Sequence, residues 1–280
     1  MATHYEVRYA SGPAAVRDYD TTQLRDEFLV RGILQAGSVR WVYSHYDRYL
    51  MGGAVPTDGP LDLATIDPLK ADYFLERREL GAINVGGPGS ITVDGQRYPL
   101  QYKEALYVGR GSREVTFASD DASKPARFYL NSAPAHREYP TTLVTREQAN
   151  VLQLGDASTA NARTVRQLIV GKIVKSCQLQ MGMTELKTGS VWNTMPAHVH
   201  DRRMEMYFYF EVPDDQAVCH FMGPTDETRH LWLHNEDGVI SPPWSIHSGA
   251  GTSNYCFIWG MAGENLDYDD MDKCAVRDLR

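Results

Sequence analysis

The feature that most constrains this chain is the way its β-branched and aromatic residues fall into brief runs cut by glycine, proline or aspartate. Val39–Tyr43, Ser90–Gly95, Glu114–Phe117 and Arg127–Leu130 are of this kind in the first half. In the second half a β-rich stretch begins near Arg163 and continues through Gln178–Met181, Met204–Phe210, Ala217–Met222, Arg229–His234 and Tyr255–Gly260. Such runs predict antiparallel strands joined by turns. Helical signals are local: Asp20 to Gln23 can cap a helix carrying Leu24, Phe28 and Leu29, and Thr145 to Gln148 can cap another short turn or helix. The fold class predicted is all-β with short peripheral helices.

With 280 residues the chain can form one large domain or two small ones. The small, polar stretch Gly155 to Asn161 offers a junction, which divides the chain into 1–155 and 156–280. An internal echo points to duplication. Phe74-Leu-Glu-Arg-Arg-Glu-Leu80 and His200-Asp-Arg-Arg-Met-Glu-Met206 each place an acidic, doubly basic turn before an apolar strand. The first copy has no His-x-His, so it is the less suited to a metal.

Twenty-eight basic against thirty-six acidic residues give a net charge of -8, which offers no general attraction to nucleic acid or an anionic membrane. The start of the chain has no basic and apolar leader pattern, and no run approaches the length of a membrane span. Four cysteines, Cys177, Cys219, Cys256 and Cys274, form no CxxC pair, so the expectation is a reduced, cytoplasmic setting.

Chemistry concentrates in Asn193-Thr-Met-Pro-Ala-His198-Val-His200-Asp-Arg-Arg-Met-Glu205. On a strand of period two, His198 and His200 present both imidazoles to one face. Glu205 follows after a polar interval, and Pro242-Pro-Trp-Ser-Ile-His247 supplies a fourth donor. Three imidazoles and one carboxylate suit Zn²⁺, Fe²⁺, Mn²⁺, Co²⁺ or Ni²⁺ better than Ca²⁺, and ligand type alone does not choose among them.

Alternation then puts Glu205, Tyr207 and Tyr209 on one face and Met206, Phe208 and Phe210 on the other. Tyr207 and Tyr209 either line a cavity as substrate contacts or fill the barrel interior. Arg202 and Arg203, with Arg77 and Arg78 in the echo, are candidates to hold a substrate carboxylate, or else ion-paired surface groups. His220, His230 and His234 read as hydrogen-bonded structural residues. Gly86-Gly-Pro-Gly89 lacks the residues of a phosphate loop and reads as a strand connection, while Asp267 to Asp272 reads as a solvated tail or a segment closing over a neighbour.

The His-x-His, Glu205 and His247 pattern resembles the two metal motifs of a cupin. The stretch Asn193 to Phe210 is similar to the signature region of the 5-keto-4-deoxyuronate isomerase family. Further resemblance runs through Leu24–Val30, Tyr73–Gly81, Ala105–Gly109, Ser241–Gly249, Phe257–Met261 and Asp269–Asp272, nearly the whole chain. The chain departs from the general cupin pattern in two places: no glycine follows Glu205, and Trp244 stands at the usual glycine position before His247.

The resemblance implies a bicupin, with a metal-free N-terminal barrel and a C-terminal one in which His198, His200, Glu205 and His247 bind one Zn²⁺ per subunit. It implies a ketol-isomerase interconverting 4-deoxy-L-threo-5-hexosulose uronate and 3-deoxy-D-glycero-2,5-hexodiulosonate in pectin-derived uronate catabolism, cytoplasmic and homohexameric. Its partner is then a small acidic sugar, and an arginine would orient that sugar's carboxylate. Two other classes remain open on the residues alone, an iron-dependent dioxygenase and a bicupin that only binds carbohydrate. The proton-transfer residue is not resolved by sequence.

Overall fold

A computed structural model describes residues 3–264 and 268–280. Among the described residues its strands form two pairs of sheets, each a seven-stranded sheet with a four-stranded one, and a small two-stranded sheet. In the first large sheet the order is Thr3–Arg8, Ser38–Ser44, Leu50–Val55, Phe128–Pro134, Arg78–Asn84, Ala105–Val108 and Thr142–Val144. The second large sheet runs Asn150–Leu154, Arg163–Ile169, Gln180–Leu186, Cys256–Gly263, Arg203–Phe210, Gly238–Ser241 and Leu29–Val30. The small sheets correspond as well: Leu61–Asp62, Val115–Ser119, Gly89–Val93, Gln96–Leu100 in one, and Trp192–Asn193, Ser248–Gly251, Val218–Met222, Arg229–Leu233 in the other.

The two sets follow the same order with one exception in origin. The last strand of the first large sheet comes from the end of its own half, whereas Leu29–Val30 is drawn from near the start of the chain. This is an all-β cupin architecture built twice, as the echo around the paired arginines led us to expect. Compact units follow the same logic without a single cut. Residues 1–8, 32–150 and 168–181 make one, and residues 9–31, 151–167 and 182–280 the other. The junction expected at 155/156 lies inside the 151–167 piece.

In the first unit the space between the sheets is filled by apolar side chains, among them Trp41, Phe74, Leu80, Ile91, Phe117 and Phe128. Trp41 stacks on Phe74 at 4.8 Å. Burying such a cluster is the main stabilising term, at about 25 cal/mol per Å² of apolar surface. Glu79, beside Leu80 but on the opposite face of its strand, serves the backbone. Its carboxylate accepts from the amides of Cys177, Gln178 and Leu179 and from the Tyr107 hydroxyl, at 2.7–2.8 Å.

Helix is confined to short pieces. Thr21–Phe28 begins in a capping box, with the Asp20 carboxylate taking the Gln23 amide and the Gln23 side chain taking the Asp20 amide. It buries Leu24 and Phe28, and Phe28 meets Trp244 edge to face. Thr145 to Gln148 forms only a turn. Gly86 to Gly89 leads into the strand Gly89–Val93, a strand connection. Among the described residues no helix is long and apolar enough to cross a membrane, and none of the four cysteines forms a disulfide.

Candidate metal centre

His198 lies in the two-residue strand His198–Val199, which pairs with Asp272–Lys273. His200 follows that strand, and Glu205 is the third residue of Arg203–Phe210, opposite Met261 on one side and Ser241 on the other. His247 immediately precedes Ser248–Gly251 in the facing small sheet. Four donors separated by up to 49 positions thus converge, with all their ligating atoms within 4.8 Å of one another.

The contacts within this group are those of lone pairs aimed at a common point. His200 Nε2 lies 2.8 Å from Glu205 Oε1, yet among the described residues it makes no hydrogen bond of acceptable geometry. The Nε2 atoms of His198 and His247 are 3.0 Å apart, and His247 Nε2 is 3.6 Å from Glu205 Oε1. On the far side of its ring His200 donates from Nδ1 to the carbonyl of Asp270 at 2.7 Å, which leaves Nε2 as the acceptor. His247 Nδ1 lies 3.3 Å from Ser241 Oγ.

Electrostatics asks for a cation here. Burial lowers His198 to about 4 and holds His247 well below the ordinary histidine value, each partly offset by Glu205, so both rings are neutral near pH 7. Burial by itself would raise the Glu205 carboxyl, but His247, His200 and His198 together hold it well below the usual carboxylate range. An ionised carboxylate buried beside three imidazoles, with the Arg203 guanidinium also acting on it, is a setting that favours a bound cation. Three nitrogens of borderline softness and one oxygen fit a divalent transition metal.

Arg202 and Arg203 act on the segment that covers this group. Arg202 is half-exposed and grips the Asp270 carboxylate through Nε at 2.9 Å and Nη2 at 2.6 Å. Arg203 is 1% exposed and donates to the carbonyls of Tyr268 and Asp270. The acidic run therefore closes over the centre as well as reaching solvent; its first residue, Asp267, lies outside the described residues. Arg77 and Arg78 belong to the other unit, where they line a cavity with Tyr43, Arg48 and Phe74.

Tyr207 and Tyr209 share the interior face with Glu205. The Tyr207 hydroxyl bonds Thr194 Oγ1 at 2.9 Å, and its ring stands 5.4 Å from that of His247. Tyr209 sits deeper, with its hydroxyl 2.8 Å from His220 Nδ1. His230 and His234 are exposed, away from the ligand group. His220 is fully buried on the inner face, 5.7 Å from the Tyr207 ring, and among the described residues its Nε2 meets no partner.

Sequence reasoning passed over two further residues. Arg163, half-buried at the start of its strand, lies within electrostatic reach of the Tyr207 and Tyr268 phenols and donates to the Asn161 carbonyl at 2.9 Å. Among the described residues no carboxylate pairs with it. Tyr268 packs against Trp259 at 5.4 Å and hydrogen-bonds Gln167. No local motif marks either one, because each reaches the centre from an element remote from the His-x-His in sequence.

A model of the KduI/IolB family matches residues 28–276. Over the full length of both chains the sequence is 66% identical to the 4-deoxy-L-threo-5-hexosulose-uronate ketol-isomerase of Formosa agariphila and 56% identical to that of Bacteroides fragilis. The Escherichia coli protein of the same name is 52% identical, with 98% of this chain and all of that one aligned. Among solved structures, an IolB-like protein from Salmonella typhimurium superposes with a TM-score of 0.67 at 16% identity, covering 81% of this chain and 87% of that one. A Bacillus subtilis oxalate decarboxylase variant does so with a TM-score of 0.54 at 9% identity, over 80% and 71%. These two likenesses concern the fold.

Proposed function

The chain belongs to the KduI/IolB family, and on that premise we propose that it is a metal-dependent ketol-isomerase interconverting 4-deoxy-L-threo-5-hexosulose uronate and 3-deoxy-D-glycero-2,5-hexodiulosonate in pectin-derived uronate catabolism. One observation carries the reading: 66% identity to a relative of that name over every residue of both chains. The converging His198, His200, Glu205 and His247 supply the chemistry such a reaction needs.

Aldose–ketose conversion removes a hydrogen from the hydroxyl-bearing carbon, passes through an enediol or enediolate, and returns a proton to the neighbouring carbon. A Zn²⁺ ion held by the four side chains would supply Lewis acidity toward the carbonyl oxygen without any change of redox state. The bond from His200 to the Asp270 carbonyl supports its assignment as a ligand, and Arg202 and Arg203 hold the 268–270 segment that provides that bond. Tyr207, its ring against His247, is placed to bond a sugar hydroxyl. Arg163 is the cation we assign to the uronate carboxylate, since Arg202 is already engaged by Asp270.

In this reading the 156–280 module carries the metal and the 1–155 module does not, and the enzyme works in the cytoplasm as a homohexamer. The direct test incubates metal-replete protein with the 5-keto-4-deoxyuronate, in air and without oxygen, and resolves the products by NMR. Equal formation of the ketose in both atmospheres, lost on chelation and restored by Zn²⁺, is expected. Failure to form it, or a requirement for oxygen, would sink the proposal.

A further inference from the structure

His220 is a polar residue that the fold itself does not require. It is the central residue of Val218–Met222, and the central residue of the corresponding strand Gly89–Val93 is Ile91, part of the apolar core. His220 is completely buried, and among the described residues its Nε2 has no partner. Such an orphan carries the full desolvation penalty of the group and needs an explanation.

Its face of the sheet gives one. His220 pairs with Gly249, and opposed residues of an antiparallel pair point the same way. His247 lies two positions before Gly249, so both imidazoles project to the side that holds the ligand group. The ring of Tyr207 neighbours both, 5.7 Å from His220 and 5.4 Å from His247.

The hydrogen bonds behind His220 determine which nitrogen carries its proton. The Tyr255 hydroxyl donates to the Val191 carbonyl at 3.2 Å, so its oxygen accepts from Asn193 Nδ2 at 2.6 Å. The Asn193 side chain also acts on the Tyr209 phenol in the sense of a donor, lowering it against the effect of burial. Tyr209 must then spend its own proton on His220 Nδ1, 2.8 Å away. Turning the Asn193 amide around would leave two buried donors unmet in place of one acceptor, the costlier arrangement. Gly249 makes room for the relay: a β-carbon there would lie 2.8 Å from Asn193 Nδ2 and 3.1 Å from the Tyr209 hydroxyl.

We propose that His220 is a catalytic residue: a neutral imidazole, locked as the Nε2–H tautomer by Asn193 and Tyr209, that donates to the substrate oxygen on which negative charge develops during isomerisation. This rests on the ketol-isomerase reading. Burial lowers His220 to about 3, so the ring stays neutral at working pH and donates without bringing a competing positive charge next to the cation. Asn193 and Tyr209 are positioning residues, acting only through the ring.

Two measurements test it. Long-range ¹H–¹⁵N spectra of histidine-labelled parent protein are expected to show His220 protonated on Nε2, and in Tyr209→Phe a mixture of tautomers; Nδ1 protonation in the parent overturns the proposal. Kinetics with the uronate are expected to show kcat lowered about 10²–10³-fold in His220→Phe, at unchanged metal content and KM. His220→Gln, which keeps an N–H near the same place, should stay within about tenfold of the parent. A His220→Phe enzyme within twofold of the parent in kcat also overturns the proposal. If the parent itself leaves the uronate unchanged, the isomerase reading falls, while the spectra still decide the tautomer.

Discussion

Leu80 occupies in the first sheet pair the place that Glu205 occupies in the second. Each lies two residues after an arginine that begins the corresponding strand, Arg78 or Arg203, and those arginines pair with the last residues of the corresponding neighbours, Pro134 and Gly263. Leu80 is buried in an apolar cluster, whereas Glu205 is a buried carboxylate facing three imidazoles. One architecture therefore closes with an oily plug in one copy and a ligand group in the other.

Glu205→Leu reproduces the first copy in the second and should abolish metal retention with little loss of fold. Metal content after dialysis is expected to drop more than tenfold, with an unchanged far-ultraviolet circular dichroism spectrum. Retention of metal by the variant would remove Glu205 from the ligand set.

Asp270 works through both its carbonyl, on His200, and its carboxylate, on Arg202. Asp270→Ala keeps the carbonyl and removes the grip that holds it in place. Metal affinity should fall about tenfold, as measured by competition with a chromogenic chelator. Arg202→Ala should do the same, and the two losses should not add, because both break one pair.

Arg163→Met retains much of the buried stem and removes the charge. If Arg163 receives the carboxylate, KM for the uronate should rise at least tenfold with metal content unchanged. Steady-state kinetics beside metal analysis check this. An unchanged KM would move the carboxylate site elsewhere.

Acid sensitivity should carry a His220 component. Its folded value is about 3 against roughly 6.5 for an unfolded histidine, so below pH 6.5 the unfolded chain binds the proton and the folded one does not. Stability consequently declines as pH falls from about 6.5 toward 3. At pH 5 the contribution is about 2 kcal/mol, from 1.36 kcal/mol per pH unit. Urea midpoints at pH 7 and pH 5 should converge in His220→Gln relative to the parent; an equal acid shift in both would show that other groups carry the effect.

Much of this was legible from residue order. Alternation located the strand Arg203–Phe210 and its inner face, because the period of a strand is a local property. The capping box at Asp20 was legible for the same reason. Glu79 shows where such reading stops. It looks like the echo of Glu205, but it lies on the opposite face from Leu80 and binds three backbone amides. His220 was read as a hydrogen-bonded structural residue, and it is buried and bonded to the Tyr209 hydroxyl.

By itself, the sequence determined a β-rich chain and four candidate ligands in its second half, since these depend on short-range periodicity and side-chain type, while the two barrels were implied by family resemblance. Tertiary structure decided what converges on those ligands. Arg163 and the 268–270 segment come from elements remote from the His-x-His, and Tyr209 reaches His220 across the sheets. Hydrogen bonds and fields act across a few ångströms of space, and only the folded chain sets those distances.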